Sequence, residues 1–595
     1  MKRMKWYIAL ILNIFLLSSC QTGIGDEQLQ LQHYYDANDS AKYEADYDIL
    51  DKGPVAGGVL NLFTTEPDTL NPILTKNTYV SDFLSFIYEG LTRLDEGQKA
   101  VPVLSDSWSV SSDGLVWNFH IRNGVKWQDE QPFTAYDVEF TIQVLLNTGV
   151  ESVYKPLVMN IAAFSAVDSS NIRIVLKNPN SFIPEMMSFP ILAKHQFQQK
   201  DIISASKNFS PIGTGPYRYT SYTEKKRVEL KSNENWWYLN AEDSKAKDGM
   251  FMSTININIF NDSDEAMGAF QTGEIDVASI ETGDFSKYKG RSDLIIKKYT
   301  SRNFEFIAFN LENTVLADIY VRKAIALAID RERVIGNTLP GEAVASDIAV
   351  LPDSWISDME GISAGASAMY SIPESISKAV NPQNGNASEA AAVFTAKTPK
   401  EALLQGGWKE SAQGYYKIIN GVRKYLKFEL IVNSNNSLRV KAAQEVCTQL
   451  KQAGIEAVCT QIQWNDFLAR VNASKFDMVF TGCRVPQIPD VSYLYSSSYL
   501  PAALPARSDS ARNISGYYNV QLNESIAALF RENDTDKRKV LYDDIRQIVT
   551  NDTAYIGLYF LRDAMVYGRN IRGPLEPDTW NRYKDMTHWY KPEVP

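Results

Sequence analysis

Cysteine and histidine are scarce, with four of each in 595 residues. The cysteines (Cys20, Cys447, Cys459, Cys483) and histidines (His33, His120, His195, His588) are scattered, and their spacings fit no zinc pattern, so no metal site or cofactor is expected. Catalytic signatures are missing too: there is no Gly-x-Ser-x-Gly, Walker loop, dinucleotide fingerprint or His-Glu-x-x-His. Cys483 has no histidine near it in sequence to act as a base, which argues against a thiol nucleophile. Positive charge is in deficit. Lys and Arg total 60 against 71 Asp and Glu, a net charge of -11, which argues against nucleic acid and against a polybasic membrane surface. Beyond the N-terminus no apolar run approaches the ~18 residues of a membrane span.

What is present begins with a leader. Lys2, Arg3 and Lys5 precede the apolar run Tyr7 to Leu17, too short for a stable span. Leu17-Ser18-Ser19-Cys20 then resembles a bacterial lipobox, so Cys20 is expected to become the first mature residue and to carry lipid. Residues 1–19 are the expected signal peptide. Residues 20–52 are polar, acidic and aperiodic, and read as a flexible tether with a reach on the order of 30 Å. The mature chain should be soluble and held at the outer face of the cell membrane. A long exported chain without a catalytic motif favours binding over enzymatic chemistry. Outside the cytoplasm cysteines can pair. Cys447 on a predicted helix and Cys459 on the strand returning beside it form the candidate disulfide.

With 595 residues, two or three lobes are expected. The most legible stretch is Asp113 to Phe140. Leu115, Trp117, Phe119 and Ile121 alternate with polar or smaller neighbours, which predicts a half-buried strand. Asn123-Gly124 predicts a hairpin turn, with Val125 and Trp127 resuming a second strand. Thr134 and Asp137 read as a capping box, opening a helix with Val138, Ile142 and Leu145 on one face. Elsewhere, Val80, Phe83, Leu84 and Ile87 predict a helix ending near Gly90. Gly213-Thr214-Gly215-Pro216 predicts a tight backbone path where the chain crosses between lobes. Strands are expected at 304–309, 554–560 and 564–567, and residues 346–399 as mostly a surface excursion. From Tyr425 to Thr481 strands and helices alternate, which implies a parallel sheet with the ligand near strand carboxyl ends, here at Gly482 to Pro486.

Seven short motifs then fall in one order: Thr69-Leu70-Asn71-Pro72, Tyr88-Glu89-Gly90-Leu91, the Asp113–Phe140 stretch, Gly213 to Tyr217, Gly273 to Val277, Val321 to Asp330, and Leu404 to Trp408. Together they resemble the family 5 extracellular solute-binding proteins, the peptide-binding subunits of ABC importers. The resemblance covers about Gly57 to Tyr567. It implies an α/β, two-lobed periplasmic-binding-protein type II fold with a hinge crossover. Domain I is expected at 53–91, 211–303 and 556–595, an inserted domain II at 92–210, and domain III at 304–555. The partners it implies are a peptide or peptide-like ligand and ABC permease subunits, for a protein expected to be a monomer. By position, the ligand contacts it implies are Lys76, Asn77, Thr78, Tyr79, Arg302, Asn303, Phe304, Trp464, Gly482, Cys483, Arg484 and Val485.

One departure bears on the ligand. Many peptide binders carry Gly-Trp-x-x-Asp in the loop after Thr481, where the Asp holds the ligand's amino terminus. This chain has Gly482-Cys483-Arg484-Val485-Pro486, and the next acid is Asp490. A buried ammonium without a counter-charge costs several kcal/mol. Three expectations follow. Another acid supplies the charge, Asp490 bends in, or the ligand lacks a free amine there; Lys76 and Arg484 would favour a ligand with a negative group. Within the same fold a nickel chelate, opine or oligosaccharide is an alternative ligand. A peptide-signal sensor without transport is an alternative role.

Overall fold

Two strands of 16 and 14 residues, Leu294–Phe309 and Tyr555–Gly568, run side by side through the molecule. They pair antiparallel in two stretches, Leu294–Thr300 against Arg562–Gly568 and Phe304–Ala308 against Tyr555–Phe560, with a break in register between. The computed structural model describes residues 53–197, 202, 209–240, 250–288, 290–291, 294–357, 394–500 and 513–592. The leader, Cys20, the tether 20–52 and residues 358–393 lie outside the described residues. No helix among the described residues is long and apolar enough to cross a membrane.

These two strands are the spine of a seven-stranded sheet. Its order is Val277–Ile280, Tyr555–Gly568, Leu294–Phe309, Met478–Arg484, Lys427–Asn433 and Glu456–Ile462, with Ala343–Ala345 also pairing on Tyr555–Gly568. The strands at 427–433, 456–462 and 478–484 are mutually parallel, as their alternation with helices implies. The sheet as a whole is mixed, because Leu294–Phe309 joins Met478–Arg484 antiparallel. A four-stranded sheet orders Gly58–Thr64, Met252–Ile259, Arg227–Ser232 and Tyr217–Thr223. A second four-stranded sheet holds Ser105–Val110, Val116–Ile121, Asn171–Leu176 and Ile161–Ala166.

Strand Val116–Ile121 buries Trp117, Phe119 and Ile121, as the period-two pattern requires. The expected hairpin partner is different. Residues 125–127 make only one bridge, Lys126 to Pro132, and the strand's neighbours are Ser105–Val110 and Asn171–Leu176. Val125 and Trp127 are drawn into the core instead, Trp127 packing edge-on against Phe133. The capping box forms: Thr134 N–H donates to Asp137 Oδ2 at 2.9 Å, and Val138, Ile142 and Leu145 are fully buried.

Three other expectations change. The strands expected at 554–560 and 564–567 are one strand. The strand expected to start at Phe304 starts at Leu294. The segment expected as surface begins in the core, with Ile348, Ala349, Val350, Leu351 and Ile356 all buried. The Gly213–Tyr217 path is as tight as predicted. Gly215 N and Tyr217 N donate to the carbonyls of Ile87 and Phe86, and a Cβ on Gly213 would sit 1.8 Å from Ile87 O.

Candidate functional site

A cleft with a volume of about 1330 Å³ opens beside the two long strands. Its floor is the stretch where the two long strands cross: Tyr299, Ser301, Arg302 and Asn303 from one, Leu561 and Asp563 from the other. Tyr299 and Asp563 are register partners, and Asn303 is partnered by Arg484 at the end of Met478–Arg484. One wall is helix Thr78–Leu84. Asn77 caps it, its Oδ1 accepting from the N–H groups of Tyr79 (3.0 Å) and Val80 (3.5 Å), while Val80, Phe83 and Leu84 turn into the core. That rotation leaves Thr78, Tyr79 and Asp82 on the cleft face. Another wall is aromatic, from Trp236, Trp237 and Tyr238, with Trp580 and Tyr583 beyond.

Charges in the cleft are unevenly matched. Arg302 Nε donates to the Val485 carbonyl at 2.7 Å, and its guanidinium lies 5.2 Å from the Trp580 ring centre. Burial, with Arg484 next, pulls the Arg302 pKa down to about 10. Neither Arg302 nor Arg484 forms an ion pair with a carboxylate among the described residues. Glu281 and Asp563 both have raised pKa values. Burial is the main cause for each, and Asp563 adds repulsion at Glu281. Asp563 is held by the Thr282 hydroxyl at 3.0 Å. In the aromatic wall, Glu89 accepts from Trp237 Nε1 and Thr214 Oγ1 at 2.8 Å each and from Trp236 Nε1 at 3.2 Å. Burial outweighs these bonds and lifts the Glu89 pKa to about 7.

Of the contacts expected from sequence, the structure brings Thr78, Tyr79, Arg302, Asn303 and Arg484 to this cleft. The others stand elsewhere. Lys76 is exposed and paired with Glu151 at 2.5 Å. Asn77 is spent on its cap. Phe304 is core, stacked on Phe306 and tilted against Phe560. Trp464 is exposed and stacks on Phe467. Gly482 is packed against a buried ion pair: Arg439 Nη2 and Nε reach the two oxygens of Glu305 at 2.6 Å each, and a Cβ on Gly482 would lie 2.3 Å from Glu305 Oε1. Cys483 Sγ is 3.6 Å from the Tyr493 hydroxyl, and burial pushes its thiol up to about 12, away from a reactive thiolate. Val485 is buried and meets Arg302 through its backbone. Asp490 does not bend into the cleft: it accepts from Ser492 N at 2.7 Å and faces a separate cavity of about 570 Å³.

Cys447 and Cys459 are hydrogen-bonded to each other as free thiols, the contact raising the first pKa and lowering the second. No group of three or more His, Cys, Asp or Glu among the described residues is arranged to hold a metal ion. The sequence reading missed Glu89 as a cleft residue, and with it Trp236–Tyr238, Glu281, Asp563 and Trp580. The run Trp236-Trp237-Tyr238 within a polar segment was the available signal.

Comparison with known proteins places this architecture. The sequence model "Bacterial extracellular solute-binding proteins, family 5 Middle" matches residues 99–503. The oligopeptide-binding protein AppA of Bacillus subtilis (strain 168) is 23% identical over 524 residues, covering 85% of this chain and 87% of that protein. Its structure in complex with a nonapeptide superposes with a TM-score of 0.58 at 22% identity, covering 91% of this chain and all of that one. NikZ of Campylobacter jejuni, in complex with Ni(L-His), gives 0.61 at 23% identity, covering 90% and 99%. AgaA of A. tumefaciens R10 with agropinic acid gives 0.56 at 17% identity, covering 90% and 99%. The fold is thus the multi-domain, two-lobed α/β fold of these binding proteins.

Proposed function

The chain belongs to the bacterial extracellular solute-binding proteins of family 5, and on that premise we propose that it is the capture component of an ABC importer for peptides or peptide-like ligands. The observation that carries this reading is the cleft of about 1330 Å³ across the crossing strands. It exceeds the roughly 300–1,000 Å³ of common small-molecule pockets. It also offers the backbone of two strands at a register break, where an extended ligand can hydrogen-bond. Relatives named as oligopeptide- and glutathione-binding proteins support the same class.

In this reading the lobes are domain I (53–91, 211–303, 556–595) with the inserted domain 92–210, and domain III (304–555). They close on ligand about residues 300–304, and the closed form delivers the ligand to the permease. Closure requires that ligand bind the closed state more tightly than the open one; equal affinity shifts nothing. Residues 1–19 are the signal peptide, Cys20 carries the lipid, and 20–52 tether a monomer to the membrane. No step is enzymatic. A chelate or opine is the second reading, favoured by the charged floor of the cleft and by the ligands of NikZ and AgaA.

A thermal-shift screen of the tether-free chain against peptide pools, nickel–histidine and opines tests the proposal. A peptide at about 100 times its dissociation constant adds about 2.7 kcal/mol of stability, a clear rise in melting temperature. A rise with opine or chelate alone would replace peptide by the second reading.

A further inference from the structure

We propose that Arg302 and Arg484 together anchor a carboxylate of the bound ligand at the strand crossing. The inference rests on the solute-capture reading above and names the chemistry that its site selects.

The two residues sit on neighbouring strands, Asn303 facing Arg484 and Val485 N donating to Arg302 O at 2.8 Å. Like charges placed together repel, and Arg302, partly buried, has lost hydration, while Arg484 at the end of its strand is exposed and free to turn toward a ligand. Other sequestered guanidiniums are answered by an acid or by carbonyls, or, at Arg538, by the rings of Phe182 and Trp355. Arg439 has Glu305, Arg546 has Asp347, and Arg322 is wrapped by the carbonyls of Leu316, Ala317, Asp552 and Thr553. Arg302 has one carbonyl, on Nε, and its two terminal nitrogens make no hydrogen bond among the described residues. Arg484 makes no side-chain bond there either.

The acids of the same cleft do not fill this role. Asp563 accepts from Thr282 and feels the Arg484 charge only as its weakest influence, and neither it nor Glu281 reaches ion-pair distance of the pair. The Val485 carbonyl and the Trp580 ring hold Arg302 in place, so the fork of terminal N–H groups is ready for a planar anion at little entropic cost. Asp490, the nearest acid in the loop, faces another cavity. The charge offered to ligand at this end of the cleft is therefore positive. Lys76, the other base expected to favour an anion, takes no part, being paired with Glu151.

The test compares thermal shifts of the wild type, Arg302→Gln and Arg484→Gln with three probes: a short-peptide pool with free C-termini, the same pool amidated, and the amidated pool enriched in Asp and Glu. The expected result is a shift with the free-acid pool that amidation removes and that each substitution weakens by roughly tenfold or more in apparent affinity. Recovery with the acidic amidated pool assigns the carboxylate to a side chain. Equal shifts from free and plain amidated pools, in wild type and variants alike, overturn the anchor and leave peptide capture standing. If no pool shifts the wild type, peptide capture fails. Succinate, citrate and inorganic phosphate then decide the anchor: stabilisation lost in both variants supports it, and no anion-dependent stabilisation overturns it. The variants' melting temperatures without ligand report whether they fold.

Discussion

Glu89 shows how far a single residue's role departs from its place in a motif. In the sequence it is part of Tyr88-Glu89-Gly90-Leu91, a marker of family. In the structure it ties the tight Gly213–Pro216 path to the aromatic wall through Thr214, Trp236 and Trp237. Burial raises its pKa from 4.5 to about 7, so between those values the folded state keeps a proton that the unfolded state releases. Its contribution is fully present below about pH 4.5 and is lost as pH rises toward 7. Glu89→Gln stays neutral at every pH. The urea midpoint of the wild type is therefore expected to fall relative to that of the variant between pH 5 and pH 8; parallel profiles would contradict the assignment. The loop after Thr481 is the counterpart in legibility. That the family pattern breaks at Cys483 and Arg484 was readable. That Gly482 makes room for the Glu305–Arg439 pair, and that Lys76 is taken by Glu151, depends on partners 75 to 177 positions away, which no local pattern reveals.

At the scale of elements, the amphipathic helices and the half-buried strands were readable because one face of each is apolar at a fixed period. The long strands were not. Leu294–Phe309 carries Lys297-Lys298-Tyr299-Thr300-Ser301-Arg302-Asn303 through its middle, and Tyr555–Gly568 is interrupted by Arg562-Asp563. Those polar residues look like strand ends, yet Tyr299, Ser301, Arg302, Asn303 and Asp563 among them line the cleft. The break in apolar pattern thus marked the site rather than a boundary. The Gly213–Tyr217 path was readable from its glycines, and it sets an expectation. Gly213→Ala forces a Cβ against Ile87 O and should cost about 3 kcal/mol in urea denaturation. Gly268→Ala, in helix Ser263–Gln271 with nothing within 4 Å, should instead gain about 0.5–1 kcal/mol. Equal effects at the two positions would show that the close approach is not what Gly213 provides.

For the whole molecule, the sheet orders place the cleft where the two longest strands run from one part of the fold into another. In the proposed reading occupancy is coupled to shape, since a ligand spanning both strands would gain contacts on both sides only when they approach. The most direct measurement of that coupling is small-angle X-ray scattering of the tether-free chain, with and without a saturating peptide identified by thermal shift. Capture by lobe closure predicts a smaller radius of gyration and a shorter maximum dimension on saturation. Unchanged scattering curves at saturating peptide would contradict it.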